Sequence, residues 1–362
     1  MRSILLAGAF GVFGTLLGTR VAIGLLVKKG YGQFIRDDGP REHLKKAGTP
    51  TMGGTVIIVA TVLAYLLAHL FTLSKPTASG LLLIFLLVGL GFVGFLDDWL
   101  KISRARSLGL DSKSKLALQT VISIVFAVLA LQFPDKRGVT PASTSVSFLR
   151  DLQWLALPAV VAVLWIVFIS AAMSNGANLT DGLDGLATGV SSSIFAAYTI
   201  MTLWQFSKDC AAASSGPQCY EVRDPHDLAL ISLALAGACF GFLWWNASPA
   251  KIFMGDSGSL AIGGAVAGLA ILSRTELLSV ILCGVFVIEA VSVAAQVGYF
   301  KVTKARSKDG KGKRLLKMAP LHHHFEMKGW AEQTVVVRFW ILSCVCVALG
   351  LGLFYGEWVV GQ

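Results

Sequence analysis

The chain has 362 residues, of which 55% are hydrophobic and only 14% charged, and its mean hydropathy is +0.69. That balance excludes an ordinary soluble domain and describes a polytopic membrane protein. The net charge of +10 is spread through the segments between apolar runs, so it argues for membrane topology and against nucleic acid as a partner.

A helix crosses the hydrocarbon layer in about 20 residues. The first apolar run, 3–27, meets that length and lacks a small-residue cleavage site, so it reads as a retained helix. Lys28, Lys29, Arg36, Arg41, Lys45 and Lys46 follow it, then Thr49-Pro-Thr51-Met-Gly53-Gly54. Span two (53–73) and span three (79–99) come next, and around the exit of the third lie Asp97, Asp98, Lys101, Arg104, Arg106, Lys113 and Lys115. Span four (116–133) and span five (156–174) lead to Asn175-Gly-Ala-Asn178-Leu-Thr-Asp181-Gly-Leu-Asp184. Span six (185–206) precedes a loop with Cys210 and Cys219. Span seven (229–246) is followed by Phe253-Met-Gly255-Asp256-Ser257-Gly258-Ser259. After spans eight (259–273) and nine (278–300) comes the longest hydrophilic stretch, 301–337, and then span ten (338–356). That stretch holds nine basic residues between Lys301 and Lys328 and the segment Ala319-Pro-Leu-His322-His323-His324-Phe-Glu326.

Lys and Arg are concentrated after the odd-numbered spans. By the positive-inside rule those exits are cytoplasmic, and both termini are extracytoplasmic. Nothing resembling a soluble domain or long linker interrupts the pattern, so 1–362 is expected to be one all-α integral-membrane domain of about ten transmembrane helices. Cys239, Cys283, Cys344 and Cys346 fall inside spans as small packing residues, whereas Cys210 and Cys219 could form a local disulfide or remain thiols.

Nearly every unusual polar cluster sits at an odd-numbered exit, which points to a composite site on the cytoplasmic face. A carboxylate at the edge of a span is costly to desolvate and tends to mark function. Asp and Asn oxygens suit Mg²⁺, lysines hold phosphate as point charges, and Gly255-Asp256-Ser257-Gly258-Ser259 opens a helix whose free N–H groups favour an anion. Each motif alone has a plainer reading: a solvated span boundary for Asp97-Asp98, a helix cap for Gly-Asp-Ser-Gly, a snorkelling anchor for Lys101. Their co-location is the argument for chemistry. Consecutive helical residues do not share a face, so His322, His323 and His324 are expected to contact phosphate or sugar singly, or to serve structure, before they would form a three-histidine metal site. Glu289 and Gln296 make span nine a helix that bends or lines a cavity, with a buried group bonded to a neighbouring helix as the alternative reading of Glu289.

The segments 49–54, 97–101, 178–186, 253–259 and 319–326 together resemble the phospho-N-acetylmuramoyl-pentapeptide transferase family, within the polyprenyl-phosphate N-acetylhexosamine-1-phosphate transferases. The resemblance covers about residues 30–340, with all five motifs in order. It implies a ten-helix, usually homodimeric enzyme of the bacterial inner membrane. Such an enzyme transfers phospho-MurNAc-pentapeptide from UDP to undecaprenyl phosphate, giving lipid I and UMP, with Mg²⁺ as cofactor. By motif, Asp256 would be the principal Mg²⁺ ligand, with Asp97 and Asp98 catalytic or phosphate-ordering. Phe253 would stack on uracil near Lys101, Asp184 and Gly255. Lys46, Thr51, Lys113, Asn175, Asn178, Asp181, Ser259 and Gln296 would line the substrate pocket, with His322, His323 and His324 facing substrate. Direct attack by the lipid phosphate is expected over a covalent aspartyl-phosphate route through Asp97 or Asp98. A sister transferase acting on UDP-N-acetylglucosamine would keep the same aspartates. An ion-coupled transporter would place its acids at the bilayer midplane, where only Glu289 fits.

Overall fold

The structure is a computed structural model that describes residues 1–28, 30, 32, 48–104, 109–210, 219–307 and 309–360. Lys46, expected to face substrate, lies outside the described residues. Ten helices are long and apolar enough to cross a membrane. They are α1 (Arg2–Lys28), α2 (Gly54–Thr72), α3 (Ala78–Ser103), α4 (Ser112–Ala130), α5 (Ala159–Thr180), α6 (Leu186–Ser207), α7 (Pro225–Asn246), α8 (Gly255–Leu272), α10 (Gly284–Arg306) and α12 (Glu332–Val360). Each coincides with one expected span. Two shorter helices, α9 (Glu276–Leu282) and α11 (Leu321–Glu326), complete the helical set among the described residues.

Three expectations need correction. The chain is not purely helical: β1 (Ser145–Ser147) and β2 (Asp151–Ala156) form an antiparallel hairpin. These strands are too short to show a period in the sequence. The expected span nine is broken at Cys283, so that 278–282 belongs to α9 and the remainder to α10. Helices α3 and α5 outrun their apolar stretches. Lys101 therefore joins Asp97 and Asp98 in the last turns of α3, and Asn175 and Asn178 lie in the last turns of α5, beyond the expected span ends. The triple histidine sits on the regular turn-and-a-half of α11.

Helix α8 is the axis of the bundle, with almost every residue buried. Its glycines allow close approach: a Cβ on Gly263 would meet the Met173–Ser174 backbone of α5 and one on Gly264 the Leu90 side chain of α3, while one on Gly54 of α2 would come within 2.9 Å of the Ser257 carbonyl carbon. Helix α1 lies parallel to α7, with Ser3 Oγ 3.1 Å from His226 Nε2 at one end and Trp245 Nε1 donating to Leu16 O at the other. Gly237 and Gly241, four apart on α7, face the α1 backbone, a small-residue contact suited to lipid, where packing replaces the hydrophobic effect.

Successive spans alternate in direction. As a result the C-terminal ends of α3, α5 and α7 and the N-terminal ends of α4, α6 and α8 meet at one face. Met1, the hairpin and the end of α12 lie at the other, where Arg150 meets Glu357 at 3.2 Å and donates to Cys219 O. Cys210 and Cys219 are disulfide-bonded there, which settles the alternative left open by the sequence.

Candidate active site

Asp97, Asp98 and Asp256 converge where α3 meets the start of α8, each offering a carboxylate oxygen within 4.8 Å of the others. Two glycines, one on α3 and one opening α8, bring them together. Gly94, one turn before Asp97, packs directly on the Asp256–Ser257 backbone. Gly255 takes a φ of +74°, and a Cβ there would lie 2.5 Å from Asp98 Oδ2 and 3.0 Å from Thr51 Oγ1, so only glycine fits.

Asp98 is almost fully buried and accepts from Asp256 N at 3.1 Å and Ser257 N at 2.9 Å. It therefore caps α8 from across the helix interface, satisfying N–H groups that have no intrahelical partner. Asp97 accepts from Leu110 N at 2.9 Å through Oδ1, and its Oδ2 lies 2.6 Å from Lys101 Nζ. Lys101 also reaches Asp256 Oδ2 at 3.0 Å. Lys115, from the first turns of α4, pairs closely with Asp256 and lies 3.8 Å from Asp97. Carboxylates so little exposed persist only when paired, and these two ammonium groups pair them.

Asp181, at the C-cap of α5, is the fourth acid. Burial, then repulsion from Asp256, Asp98 and Asp184, pushes its carboxyl well above the usual range. Among the described residues, Lys101 and Lys115 are the cations paired with the three clustered carboxylates. The donor set is hard oxygen and the geometry is convergent. These residues fit a divalent cation such as Mg²⁺.

The surrounding motifs scaffold this cluster. Phe253 N donates to Pro50 O at 2.8 Å, Gly53 N to Phe253 O at 2.9 Å, and Gly54 N to Met254 O at 2.8 Å, so the Thr49–Gly54 segment is tied to the entry of α8. Phe253 is half-buried, and Thr51 is buried. Ser259 Oγ donates to Asn178 Oδ1 at 2.8 Å, joining α8 to α5. Asp184 accepts from Ala250 N at 3.0 Å, holding the α7–α8 connection, while its own N–H donates to Glu332. Asn175 turns to Gln119 of α4 at 3.0 Å.

The histidines meet this region at one point. His322 is buried, with Nδ1 3.1 Å from Glu289 Oε1 and Nε2 packed on Gly182, inside the Asp181–Asp184 turn. His323 Nδ1 pairs with Glu326 at 2.6 Å. His324 Nδ1 accepts from Lys317 N at 3.1 Å, which leaves its Nε2 as the protonated nitrogen. Burial and the nearby Lys328 and Lys317 lower its pKa, favouring that neutral form. The three rings have separate partners, as their succession on a helix requires.

Gln296, expected to border the substrate pocket, binds the backbone of Leu315 and Leu316 through its side chain. Lys113 is exposed at the start of α4, whereas Lys115, two residues on, enters the acidic cluster. Lys115 is a member of this cluster that the sequence does not single out. Its only signal there was membership of a basic run beside Asp97.

A model of glycosyl transferase family 4 matches residues 78–274, more than half the chain and every acid of the cluster. The phospho-N-acetylmuramoyl-pentapeptide-transferase signature 1 matches residues 46–58. Proteins named phospho-N-acetylmuramoyl-pentapeptide-transferase from Cutibacterium acnes and Nocardioides sp. are 60% and 59% identical, each over 100% of both chains. One from Streptomyces griseus is 60% identical over 99% of both chains. The chain therefore belongs to the phospho-N-acetylmuramoyl-pentapeptide-transferase family, and it is a transferase built of membrane-spanning helices.

Proposed function

We propose that this chain transfers phospho-MurNAc-pentapeptide from UDP-MurNAc-pentapeptide to undecaprenyl phosphate, giving lipid I and UMP for peptidoglycan synthesis. The observation that carries the reading is the meeting of Asp97, Asp98, Asp256, Lys101 and Lys115 at the ends of helices from three parts of the chain. Such a site lies where a water-soluble nucleotide and a lipid phosphate can both arrive.

The acceptor is a phosphate monoester with a second pKa near 6, by analogy with phosphorylated side chains. It is mostly dianionic at neutral pH and needs little help from a general base. The larger barrier is bringing two anions together, which positioning and charge neutralisation address. An acceptor oxygen forms a bond to the sugar-linked phosphorus as that phosphorus separates from the bridging oxygen, and UMP departs with the bond's electron pair. Lys101 and Lys115 hold phosphate oxygens as point charges. Asp98 fixes the first turn of α8, and Asp97 orients both lysines. Mg²⁺, which Asp256 and its neighbouring carboxylates would hold, supplies neutralisation of the pyrophosphate when bound. Phe253 stacks on uracil. Asn178, Asp181, Thr51 and the outward faces of His323 and His324 line the sugar side.

An apolar groove of about 270 Å³ between α5, α9 and α10, lined by Trp165, Phe168, Met173, Phe286 and Val291, supports a prenyl acceptor. Its inner end at Met173 is five residues from Asn178, roughly 7.5 Å along the helix. The basic loops at the acidic face argue for a cytoplasmic site and extracytoplasmic termini. The Cys210–Cys219 bond at the opposite face suits an oxidising outer compartment. A homodimer in the inner membrane is part of the proposal.

The test is purified protein in detergent with UDP-MurNAc-pentapeptide, undecaprenyl phosphate and Mg²⁺, scored for UMP and lipid-linked product. Absence of product would overturn the assignment. Asp256→Asn should abolish Mg²⁺-dependent turnover, and near-normal activity would refute the metal assignment. Retention of ³²P on the protein from β-³²P-labelled donor, in the absence of lipid acceptor, would replace direct attack by a covalent aspartyl phosphate.

A further inference from the structure

Helix α10 carries three polar side chains seven residues apart, Glu289, Gln296 and Thr303, on one face. All three hold the segment that leads into the histidine helix. Thr303 Oγ1 accepts from Lys313 N at 2.8 Å. Gln296 Oε1 accepts from Leu315 N at 3.0 Å and Leu316 N at 2.8 Å. Glu289 accepts from Leu321 N at 2.6 Å and His322 N at 3.2 Å, and faces His322 Nδ1 at 3.1 Å. The first two anchors are simple backbone clamps. Glu289 differs, because it is fully buried and its three partners are the start of α11 and one imidazole.

A buried carboxylate is stable only when its oxygens are saturated, and here the histidine segment saturates them. The two N–H bonds fix where α11 begins, and Glu289 Oε1 lies 3.1 Å from His322 Nδ1 without a hydrogen bond between them, so the carboxylate places the ring through the backbone that carries it. His322 cannot reach solvent, and its Nε2 bears on Gly182, where a Cβ would overlap the ring. Gly182 lies in the same turn as Asp181 and Asp184, and Asp184 accepts from Ala250 N on the connection that leads to Phe253 and Asp256. A continuous chain of contacts thus runs from α10 through His322 to the turn on the sugar side of the acidic cluster.

We infer that Glu289 is a positioning residue of the transferase: through His322 it sets the Asp181–Asp184 turn and the outward faces of His323 and His324 against the substrate. This rests on the transferase reading above. None of the hydrogen bonds holding Phe253, Gly255 and Asp256 passes through Glu289, so the nucleotide end is mechanically separate from this chain.

The isosteric Glu289→Gln and the independent Gly182→Ala test it, each with the full-length protein in detergent. Each should lower kcat for phospho-MurNAc-pentapeptide transfer roughly 10–100-fold, the usual cost of losing an outer partner. Product inhibition by UMP should stay within about threefold of the parent, because the uridine end is held elsewhere. Acting through one ring, the two changes should not multiply, and the double variant should lose no more than about threefold beyond the worse single one. Multiplicative losses, or UMP inhibition weakened in parallel with kcat, would overturn the inference in favour of general loosening. So would near-normal kcat in Glu289→Gln. Trypsin supplies a readout without substrate: cleavage after Arg314 and Lys317 should quicken at least threefold in Glu289→Gln while sites elsewhere are unchanged. Unchanged cleavage there would sink the clamp even if the parent showed no transferase activity, an outcome that would itself count only against the transferase reading.

Discussion

Gly94→Ala is the sharpest test of how the acidic cluster is assembled. A Cβ at position 94 would lie 2.6 Å from Ser257 N and closer still to the Asp256 carbonyl, whereas ordinary contact begins at 3.4 Å. The obstacle is helix backbone, not a flexible side-chain tip, so α3 and α8 must separate by about 1 Å. Alanine gains about 1 kcal/mol over glycine in helix propensity, and overpacking costs about 1–3 kcal/mol. Net stability should fall by no more than roughly 2 kcal/mol, leaving the protein folded. Activity should suffer more, because the displaced residue is Asp256 itself and a shift of about 1 Å at a reacting centre costs on the order of 10²-fold. The assay is UMP release with Tm measured in the same detergent. Gly298→Ala is the control, since nothing lies within 4 Å of its added Cβ. A Gly94→Ala variant with kcat within threefold of the parent would refute the close α3–α8 contact as the device that sets Asp256.

Lys115→Met should reduce kcat/KM by about 10²–10³-fold, as loss of a positioned cation does, and an effect under tenfold would remove Lys115 from the site. Reduction of Cys210–Cys219 should cost about 3 kcal/mol in a chain-entropy treatment of so short a loop. It should be read as a lowered Tm with transferase activity within twofold, because the bond lies at the face opposite the acids; a large activity loss would contradict that separation. Ser207→Cys should react with an impermeant maleimide from outside intact cells, and Lys113→Cys only in inverted vesicles. The reverse pattern would invert the proposed orientation.

All ten spans were legible because lipid imposes a length and an apolarity that a window can measure. What the window reports is the lipid-facing stretch, not the helix. Lys101 lies beyond the apolar run of α3 and still inside its helix, because leaving the hydrocarbon does not end the hydrogen-bond ladder. The same is true of Asn178 in α5. Lys113 and Lys115 were indistinguishable in sequence, since residues two apart point to different sides of a helix and only the position of α8 decides which side faces Asp256. The hairpin and the break at Cys283 left no trace because three-residue and six-residue strands and a seven-residue helix carry too little pattern.

The polar motifs were legible as clusters, but their partners were not, and the partners separate chemistry from support. Asp98 looks like Asp97 in sequence, yet both of its oxygens are spent on the N–H groups of Asp256 and Ser257. Asp97 instead turns one oxygen to Lys101. Asp184, Asn175 and Gln296 likewise spend their polar atoms on Ala250 N, Gln119 and the 315–316 backbone. A site made from helix ends must close many terminal N–H and carbonyl groups before it can offer any polar atom to a substrate. The number of acids and amides at this face therefore exceeds what reaction alone requires. The surplus holds helix ends in register, and Asp97, Asp256, Lys101 and Lys115 are the charged groups left facing one another.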